Sequence, residues 1–378
     1  MPPPRPDQPS RRRWVPWLIV LAGVAFIAAV VIFAVLPRGE EPRGGLAIPD
    51  DELRALINAE LGQPRDADIS AGDAASLTSV GESSPELIAA DIGIIEGIEG
   101  LEHFTNLRTL VLEDNSPYFG SLDPLDLSPL AQLTELEKLS LNFSRVRDVA
   151  PLASLERLHT LELVGNELTD PAPLAELTRL RNLNLLGNAI TRLEWITPLK
   201  DLQRLDLSMN NVSDLSGIEA LMNLEELNLS SNRIEDTGPL SDLRSLDDLD
   251  LTANLIVDAA PLAGLSTLEV LNLNENRIVD AAPLAPLLGI DRLKLSTQHV
   301  TGDLTPGDHP NPVRDSRGEV VPLEPGGTVR YDEEGHTMRV PRNTDAFNDL
   351  LRWETVLHGP GGQEHTFDGV IELRRDAA

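Results

Sequence analysis

A nine-residue phrase recurs along the middle of the chain and constrains the fold more than any other feature. It reads LHTLELVGN at one occurrence and LEELNLSSN at another. Its first positions are Leu107, Leu136, Leu158, Leu180, Leu202, Leu224, Leu246, Leu268 and Ile290. After one irregular first step, these positions are 22 residues apart. Such a short, regular period indicates an array in which each repeat is one structural unit.

The apolar positions within the phrase predict its local structure. Leucine or isoleucine occupies the first, fourth and sixth positions, and a polar residue usually separates the last two. This alternation is typical of a short strand with one buried face. A single repeat cannot bury its own apolar stripe, so the repeats must stack. We therefore predict a curved solenoid with a parallel sheet on its concave face.

The ninth position of the phrase is usually asparagine. The residues are Asn115, Asn166, Asn188, Asn210, Asn232, Asn254 and Asn276. The chain must leave the strand here, and an amide can donate to and accept from the backbone of adjacent coils. We predict a buried structural ladder. The pattern L-x-x-L-x-L-x-x-N-x-L resembles the leucine-rich repeat.

Proline recurs at a fixed place between the phrases, seven residues before the next one. The residues are Pro129, Pro151, Pro173, Pro239, Pro261 and Pro283. Proline lacks the backbone N–H and cannot continue a hydrogen-bonded ladder. The convex return segments are therefore predicted to be extended or short 3₁₀ turns.

The N-terminal region contains a candidate membrane anchor. Residues 1–13 are proline-rich and basic, and residues 14–36 form an uncharged apolar run of 23 residues. A helix of this length spans roughly 35 Å, enough to cross a bilayer core. Since arginines favour the cytoplasmic side, residues 1–13 are predicted to be cytoplasmic and the rest extracellular. A cleaved signal peptide is the alternative, although the run is long for one and lacks a clear cleavage site.

A helical cap is predicted between the anchor and the repeats. Residues 37–47 read as a linker, and residues 48–84 as the cap. The apolar spacing predicts one helix over Asp50–Leu61. Ser70 and Asp73 have the spacing of a capping box that starts a second helix.

The repeat array is predicted to cover residues 85–300, beginning with a degenerate repeat at 85–106. Its apolar places are Ile88, Ile95, Ile98, Leu101 and Phe104. An atypical first repeat is expected where a solenoid must cover its end.

Several segments together resemble the internalin family of bacterial surface proteins. They are the cap IPDDELRALINAELG, the phrase GIEGL at Gly97–Leu101, the 22-residue repeats, Asn311–Asp315 with Gly318, and Thr366–Val370. The resemblance implies an immunoglobulin-like domain over residues 301–378 next to the repeats. It also implies extracellular protein binding through the concave sheet.

The C-terminal region is predicted to form strands on its own evidence. Alternating or β-branched runs occur at Thr328–Tyr331, Thr337–Val340, Leu350–Leu357 and Phe367–Leu373. The predicted fold is therefore an α/β leucine-rich repeat solenoid with a helical N-terminal cap, one N-terminal transmembrane helix and a C-terminal all-β immunoglobulin-like domain.

Charge and composition exclude several classes of function. Residues 1–43 hold six arginines and three acids, so residues 44–378 carry 25 basic and 58 acidic side chains, a net charge of −33. Such a surface should repel nucleic acid. The chain has no cysteine, which excludes disulfides and thiolate sites. We find no paired histidine motif, phosphate loop or nucleophile elbow, and predict neither catalysis nor a cofactor or metal.

The outward-facing positions of the strands contain the candidate binding residues. Phe143, Val164, Leu186 and Met209 come from four successive repeats and should form an exposed apolar patch, typical of an interaction site. The flanking residues assigned to the same surface are His159, Glu162, Arg181, Arg204 and Asp206. A solvated polar face and simple packing are the alternatives. Asp247, Asp248 and Asp250 could attract Ca²⁺, but neighbouring residues of a strand point to opposite faces, which favours an acidic solvated face instead.

These observations predict a membrane-anchored extracellular protein that binds a protein ligand through its concave sheet. A structural spacer of the cell envelope is one alternative. A non-catalytic sensor module for an envelope enzyme is another.

Overall fold

A computed structural model describes residues 45–82, 93–112, 123–303, 307–325, 329–332, 336–340 and 349–374. The predicted anchor at 14–36, and the predicted positions of Ile88 and Asn115, lie outside these residues. Within the described segments, no helix is long and apolar enough to cross a bilayer.

The N-terminal cap consists of two short helices, α1 (Asp51–Glu60) and α2 (Ala71–Ser76). The carboxylate of Asp50 caps α1 by accepting from the backbone N–H of Leu53 at 2.8 Å. Ser70 and Asp73 form the predicted capping box of α2, since each side chain accepts from the backbone of the other. Both predicted helices are confirmed.

Sixteen strands are present in the described residues. Those of the repeat array are β1 (Ser79–Val80), β2 (Thr109–Val111), β3 (Lys138–Ser140), β4 (Thr160–Glu162), β5 (Asn182–Asn184), β6 (Arg204–Asp206), β7 (Glu226–Asn228), β8 (Asp248–Asp250), β9 (Val270–Asn272) and β10 (Arg292–Asp303). The C-terminal strands are β11 (Gly307–Pro310), β12 (Glu324–Pro325), β13 (Arg330–Asp332), β14 (Thr337–Val340), β15 (Asp349–His358) and β16 (Glu364–Arg374).

The first ten strands form one parallel sheet in chain order, which confirms the predicted solenoid sheet. Each strand pairs with the next so that equivalent positions are opposite one another, as in Leu161 with Leu183 and Leu183 with Leu205. These fourth-position leucines are buried beneath the sheet. One leucine-rich core therefore runs continuously from the helical cap to the last repeat.

The return segments contain short 3₁₀ helices, as the prolines predicted. They are Leu101–His103, Ser128–Gln132, Ala150–Ser154, Ala172–Glu176, Glu194–Ile196, Ile218–Ala220, Gly238–Leu240, Ala260–Gly264 and Ala282–Leu287. Most of them have proline in the first turn, where its missing N–H is not needed. Proline thus favours 3₁₀ turns on the convex side, although Leu101–His103, Glu194–Ile196 and Ile218–Ala220 form them without it.

The asparagine ladder is confirmed over the described repeats. Asn188 donates to the carbonyls of Leu163 and Leu185 at 2.9 and 3.0 Å, and accepts from the N–H of Leu168 at 3.0 Å. In the last repeat Gln298 replaces asparagine and makes the equivalent bonds, including acceptance from Ile278 N at 3.0 Å. Each amide joins two neighbouring coils, so the ladder is structural.

The C-terminal strands continue the sheet of the repeats. Strand β10 passes the predicted domain boundary at residue 300 and pairs in parallel with β16, which pairs antiparallel with β15. The main chain of Thr297 donates to the carboxylate of Asp368 at 2.7 Å. Ring atoms of Trp353 lie where a side chain on Gly369 would be, so glycine is needed there.

The predicted C-terminal strands correspond to β13, β14, β15 and β16, while β11 and β12 were not predicted. Strands β11, β14 and β13 form a separate antiparallel sheet. An all-β C-terminal region is consistent with this arrangement. Its assignment as immunoglobulin-like remains a prediction.

Candidate partner-binding surface

The eighth position of the phrase has a left-handed backbone in eight consecutive repeats. The residues are Phe143, Gly165, Gly187, Met209, Ser231, Ala253, Glu275 and Thr297, with φ between 55° and 69°. This region is unfavourable for residues other than glycine. Hydrogen bonds hold it, because Phe143 N donates to Val164 O at 2.7 Å and Met209 N donates to Ser230 O at 2.9 Å.

The four apolar residues predicted to form a patch come from successive repeats that are hydrogen-bonded to one another. Phe143 is 44% exposed and Met209 is 60% exposed. Val164 and Leu186 are half-buried between them. We call these four residues the apolar patch; it lies where the strands end.

Two glycines that sequence reasoning did not single out form part of this surface. The ring of Phe143 lies over Gly165, where an added Cβ would be 2.3 Å from the ring atom Cε1. An added Cβ on Gly187 would meet only the backbone of Gly165, at 3.5 Å. Between Phe143 and Met209 the eighth position thus has no side chains. The signal in the sequence was glycine at two successive eighth positions.

The fifth position alternates acid and amide from Glu162 to Asn272, and two pairs in this row are hydrogen-bonded. Asn228 donates to Asp206 at 3.3 Å, and Asn272 donates to Asp250 at 3.3 Å. The same side chains accept from the main chain two residues on, as Asp250 does from Thr252 N at 2.8 Å. An amide between carboxylates separates like charges. This row is therefore part of the sheet framework.

Asp206 differs from the exposed flanking acid that we expected. It is only 9% exposed, and one carboxylate oxygen accepts from both the N–H and the hydroxyl of Ser208, at 2.9 and 2.5 Å. Burial raises the pKa of Asp206, although hydrogen bonds from Ser208 and Asn228 oppose this shift. The expectation of an exposed charge is corrected, because the neighbouring strands cover the side chain.

Glu162 occupies the same row but is half-buried rather than enclosed. Its carboxylate accepts from the hydroxyl of Ser140 at 3.2 Å and from the amide of Asn142 at 3.5 Å. Glu162 is therefore held in place next to Val164 of the apolar patch.

The basic flanking residues lie nearer the start of the strands. Arg204 donates to Glu226 at 3.0 Å and to Asn182 at 3.2 Å, which fixes its guanidinium on the sheet. His159 Nε2 lies 3.7 Å from a carboxylate oxygen of Glu137. Arg181 is exposed. The structure therefore separates these residues from the apolar patch along the strand direction.

An open surface pocket of about 670 Å³ lies at the start of the strands. We call it the arginine pocket. Its lining residues are Glu137, Glu156, Arg157, His159, Arg179, Arg181 and Asp201. It includes two of the predicted site residues, His159 and Arg181. Arg179 was not predicted; it lies in the turn that precedes β5 and lines the same pocket as Arg181.

The acidic residues of the later repeats have structural partners. Asp250 belongs to the fifth-position row. The pKa of Asp248 is raised, first by burial and then by the carboxylates of Glu226, Asp250 and Asp247, while Arg292 opposes the shift. Over the described part of the chain, no group of three or more potential ligand side chains could hold a metal ion.

Comparison with known proteins identifies relatives of this architecture. A family model for tandem leucine-rich repeats matches residues 200–242 and 223–264. The structure of an internalin, InlF, from Listeria monocytogenes is 28% identical, with a TM-score of 0.60 over 67% of this chain and 71% of that chain. Internalin C2 from the same species is 30% identical, with a TM-score of 0.51 over 58% of this chain and 91% of that chain. No curated protein sequence matches significantly.

Proposed function

Because this chain belongs to the internalin-like family of leucine-rich repeat proteins, we propose that it is a membrane-anchored extracellular protein that binds another protein through the concave face of its sheet. It performs no catalysis of its own. Residues 14–36 anchor it, residues 1–13 lie in the cytoplasm, and residues 301–378 form an immunoglobulin-like domain beside the repeats.

The exposed apolar patch is the observation that carries this proposal. Phe143 and Met209 are held in a left-handed backbone conformation that places large side chains at the strand ends. Neither belongs to the leucine core, so folding does not require their apolar character. Large rigid apolar side chains are frequent anchors of protein interfaces, because they bury much area with little loss of rotamer freedom.

A matched pair of methionines provides a direct test. Met209 belongs to the apolar patch and is 60% exposed, while Met222, in the turn before β7, is 50% exposed. A photo-reactive amino acid would be placed at either position in the full chain, and cells would be irradiated intact. We expect a discrete cross-linked protein from position 209 and none from position 222. Equal labelling from both positions, or none from either, would contradict the proposal and favour a structural spacer.

Affinity for the cross-linked protein can then be measured directly. Phe143→Ala combined with Leu186→Ser removes two members of the apolar patch without touching the leucine core. We expect binding to weaken by at least about thirtyfold, since the loss of one buried anchor commonly costs about 2 kcal/mol. The melting temperature should change little. Early unfolding with normal affinity would show that the patch is packing.

A further inference from the structure

The repeat register determines how the charged side chains are arranged around the arginine pocket. Equivalent residues of successive repeats lie beside one another and form rows. One row consists of the residues directly before the first leucine of each phrase, and the other of the residues directly after it. One row reads Glu135, Arg157, Arg179 and Asp201, and the other reads Glu137, His159, Arg181 and Gln203. Basic residues are thus grouped in two adjacent repeats, between repeats that carry acids or an amide.

Internal pairing involves Arg157 and His159 but not the two arginines of the next repeat. Arg157 forms an ion pair with Glu135, and Arg108 does so with Glu137. Arg179 and Arg181 make no side-chain hydrogen bond or ion pair with any part of the chain that the structure describes. This is notable in a segment where acids outnumber bases by 58 to 25. Two guanidinium groups therefore point to an external anion.

The chemistry of the pocket favours one kind of anion. Guanidinium groups match the planar geometry of carboxylates and bind them in a bidentate manner. Glu156 and Asp201 line the same pocket and would repel a doubly charged phosphate more strongly than a single carboxylate. Polyanions are disfavoured further by the net charge of −33 on residues 44–378.

We propose that Arg179 and Arg181 bind a carboxylate of the protein partner whose apolar residues contact the apolar patch, an inference that rests on the proposed function. Both sites lie on the same repeats at opposite ends of the strands. Gly187, at the strand end, follows Arg181 by six residues, and a fully extended chain of this length would span at most about 20 Å. The partner therefore carries an acidic and an apolar side chain no further apart than this distance, which corresponds to at most about six residues if its segment is extended.

Selection from a displayed library of short random peptides tests this chemistry while the partner is still unidentified. The full chain in detergent micelles serves as the target. We expect enriched peptides to combine aspartate or glutamate with apolar residues within about six positions. The double variant Arg179→Gln and Arg181→Gln should bind a synthetic copy of an enriched peptide at least about tenfold more weakly than the unmodified chain does. Its binding should also depend less on salt concentration.

Two controls make the result specific. Arg233→Gln changes an exposed arginine outside the pocket and should leave affinity unchanged. Replacing the acid of the peptide by its amide should remove the difference between the unmodified chain and the double arginine variant, as a direct contact requires. A phosphoserine peptide that binds more tightly than the carboxylate peptide would overturn the assignment of a carboxylate.

The outcomes also separate this inference from the proposed function. The inference fails if enriched peptides lack an acid, or if they bind the double arginine variant normally. The proposed function still stands in either case if Phe143→Ala weakens the binding of these peptides. If neither Phe143→Ala nor the double arginine variant affects any enriched peptide, both fail. A library that yields no binder overturns the inference.

Discussion

The ring of Phe143 lies on the backbone of Gly165, the residue at the equivalent position of the next repeat. An added Cβ on Gly165 would be 2.3 and 2.4 Å from two ring carbons. One glycine thus supports the orientation of the largest side chain in the apolar patch. The contact links the repeat pattern to the surface proposed to bind a partner.

Gly165→Ala should therefore disturb this surface more than an ordinary substitution at the eighth position. The left-handed backbone alone should lower the free energy of unfolding by about 1 to 2 kcal/mol. Displacement of the Phe143 ring should add to this loss and weaken partner binding. Gly187→Ala is the control, because it has the same left-handed backbone but meets no side chain. Equal effects of both changes in chemical denaturation and binding would contradict the role of the ring contact.

Leu185→Ala tests the core register. Leu185 is fully buried at the sixth position of a central repeat, so truncation should cost about 2 to 5 kcal/mol through lost burial and the remaining cavity. Because repeats are stabilised by their neighbours, unfolding should also become less cooperative. Leu186→Ala, at the adjacent half-buried position, should have a smaller effect. Calorimetric unfolding identical to that of the unmodified chain would refute this register.

Asn188→Ala tests the amide ladder. The change leaves the Leu168 N–H and the carbonyls of Leu163 and Leu185 without this partner in a buried region. Each unsatisfied buried group costs about 1 to 3 kcal/mol, so unfolding in urea should shift strongly. Asn211→Ala, outside the ladder, is expected to change stability by less than about 0.5 kcal/mol. Similar midpoints for both variants would argue against a structural ladder.

Asp206→Asn tests the effect of the buried carboxyl on pH dependence. Burial raises the folded-state pKa of Asp206 above its ordinary value of 3.8. Protonation of Asp206 therefore favours the folded state. This contribution to the free energy of unfolding is fully present below the pKa of Asp206 in the unfolded chain, and it is lost as pH rises through its pKa in the folded chain. At neutral pH Asp206→Asn should be more stable than the unmodified chain, and the difference should shrink as pH falls into the acid range.

Asp214→Asn is a control that should change the free energy of unfolding at neutral pH in the opposite direction. Hydrogen bonds from Ser216 lower the pKa of Asp214, so its charged form contributes stability above the ordinary carboxyl pKa. That contribution disappears as pH falls through the folded pKa. Asp214→Asn should therefore lower stability at neutral pH rather than raise it. Thermal unfolding of both variants across the acid range would distinguish the two signs.

The topology of the anchor can be measured in cells. Three arginines precede an uncharged segment of 23 residues, and the positive-inside rule predicts a cytoplasmic N-terminus for such a sequence. Protease added to intact cells should remove residues beyond about 44 and leave an N-terminal tag protected. A mature protein that starts near residue 37 would instead show that the segment is a cleaved signal peptide.

Local patterns were sufficient to predict most of the framework. The capping box at Ser70 and Asp73, the strand around Leu183 and the ladder residue Asn188 all depend on contacts within a repeat or with the adjacent one. Because the repeat is regular, each copy meets nearly the same neighbours. The spacing of residue types therefore contains the information needed to place them. The resemblance to internalins, drawn from the cap sequence, the GIEGL phrase, the 22-residue repeats and the C-terminal motifs, is likewise confirmed.

The candidate surface was predicted less completely. Phe143 and Met209 are exposed as expected, but Asp206 is covered by its neighbours and Arg179 belongs to the arginine pocket without having been predicted. Which carboxylate pairs with an arginine depends on the positions of several side chains in neighbouring repeats. The same residue type at the same repeat position can thus be paired, as Arg157 is, or unpaired.

The repeat register, the capping box at Ser70 and Asp73, the 3₁₀ turns and the buried amide ladder could all be read from the amino-acid sequence, since each follows from short-range patterns. How the array ends depends instead on contacts between distant segments. Strand β10 pairs with β16, and Thr297 meets Asp368 across 71 residues of chain. The tertiary structure also decided which polar side chains are covered. Contacts between distant segments and the competition among neighbouring charges depend on three-dimensional packing, which no local spacing encodes.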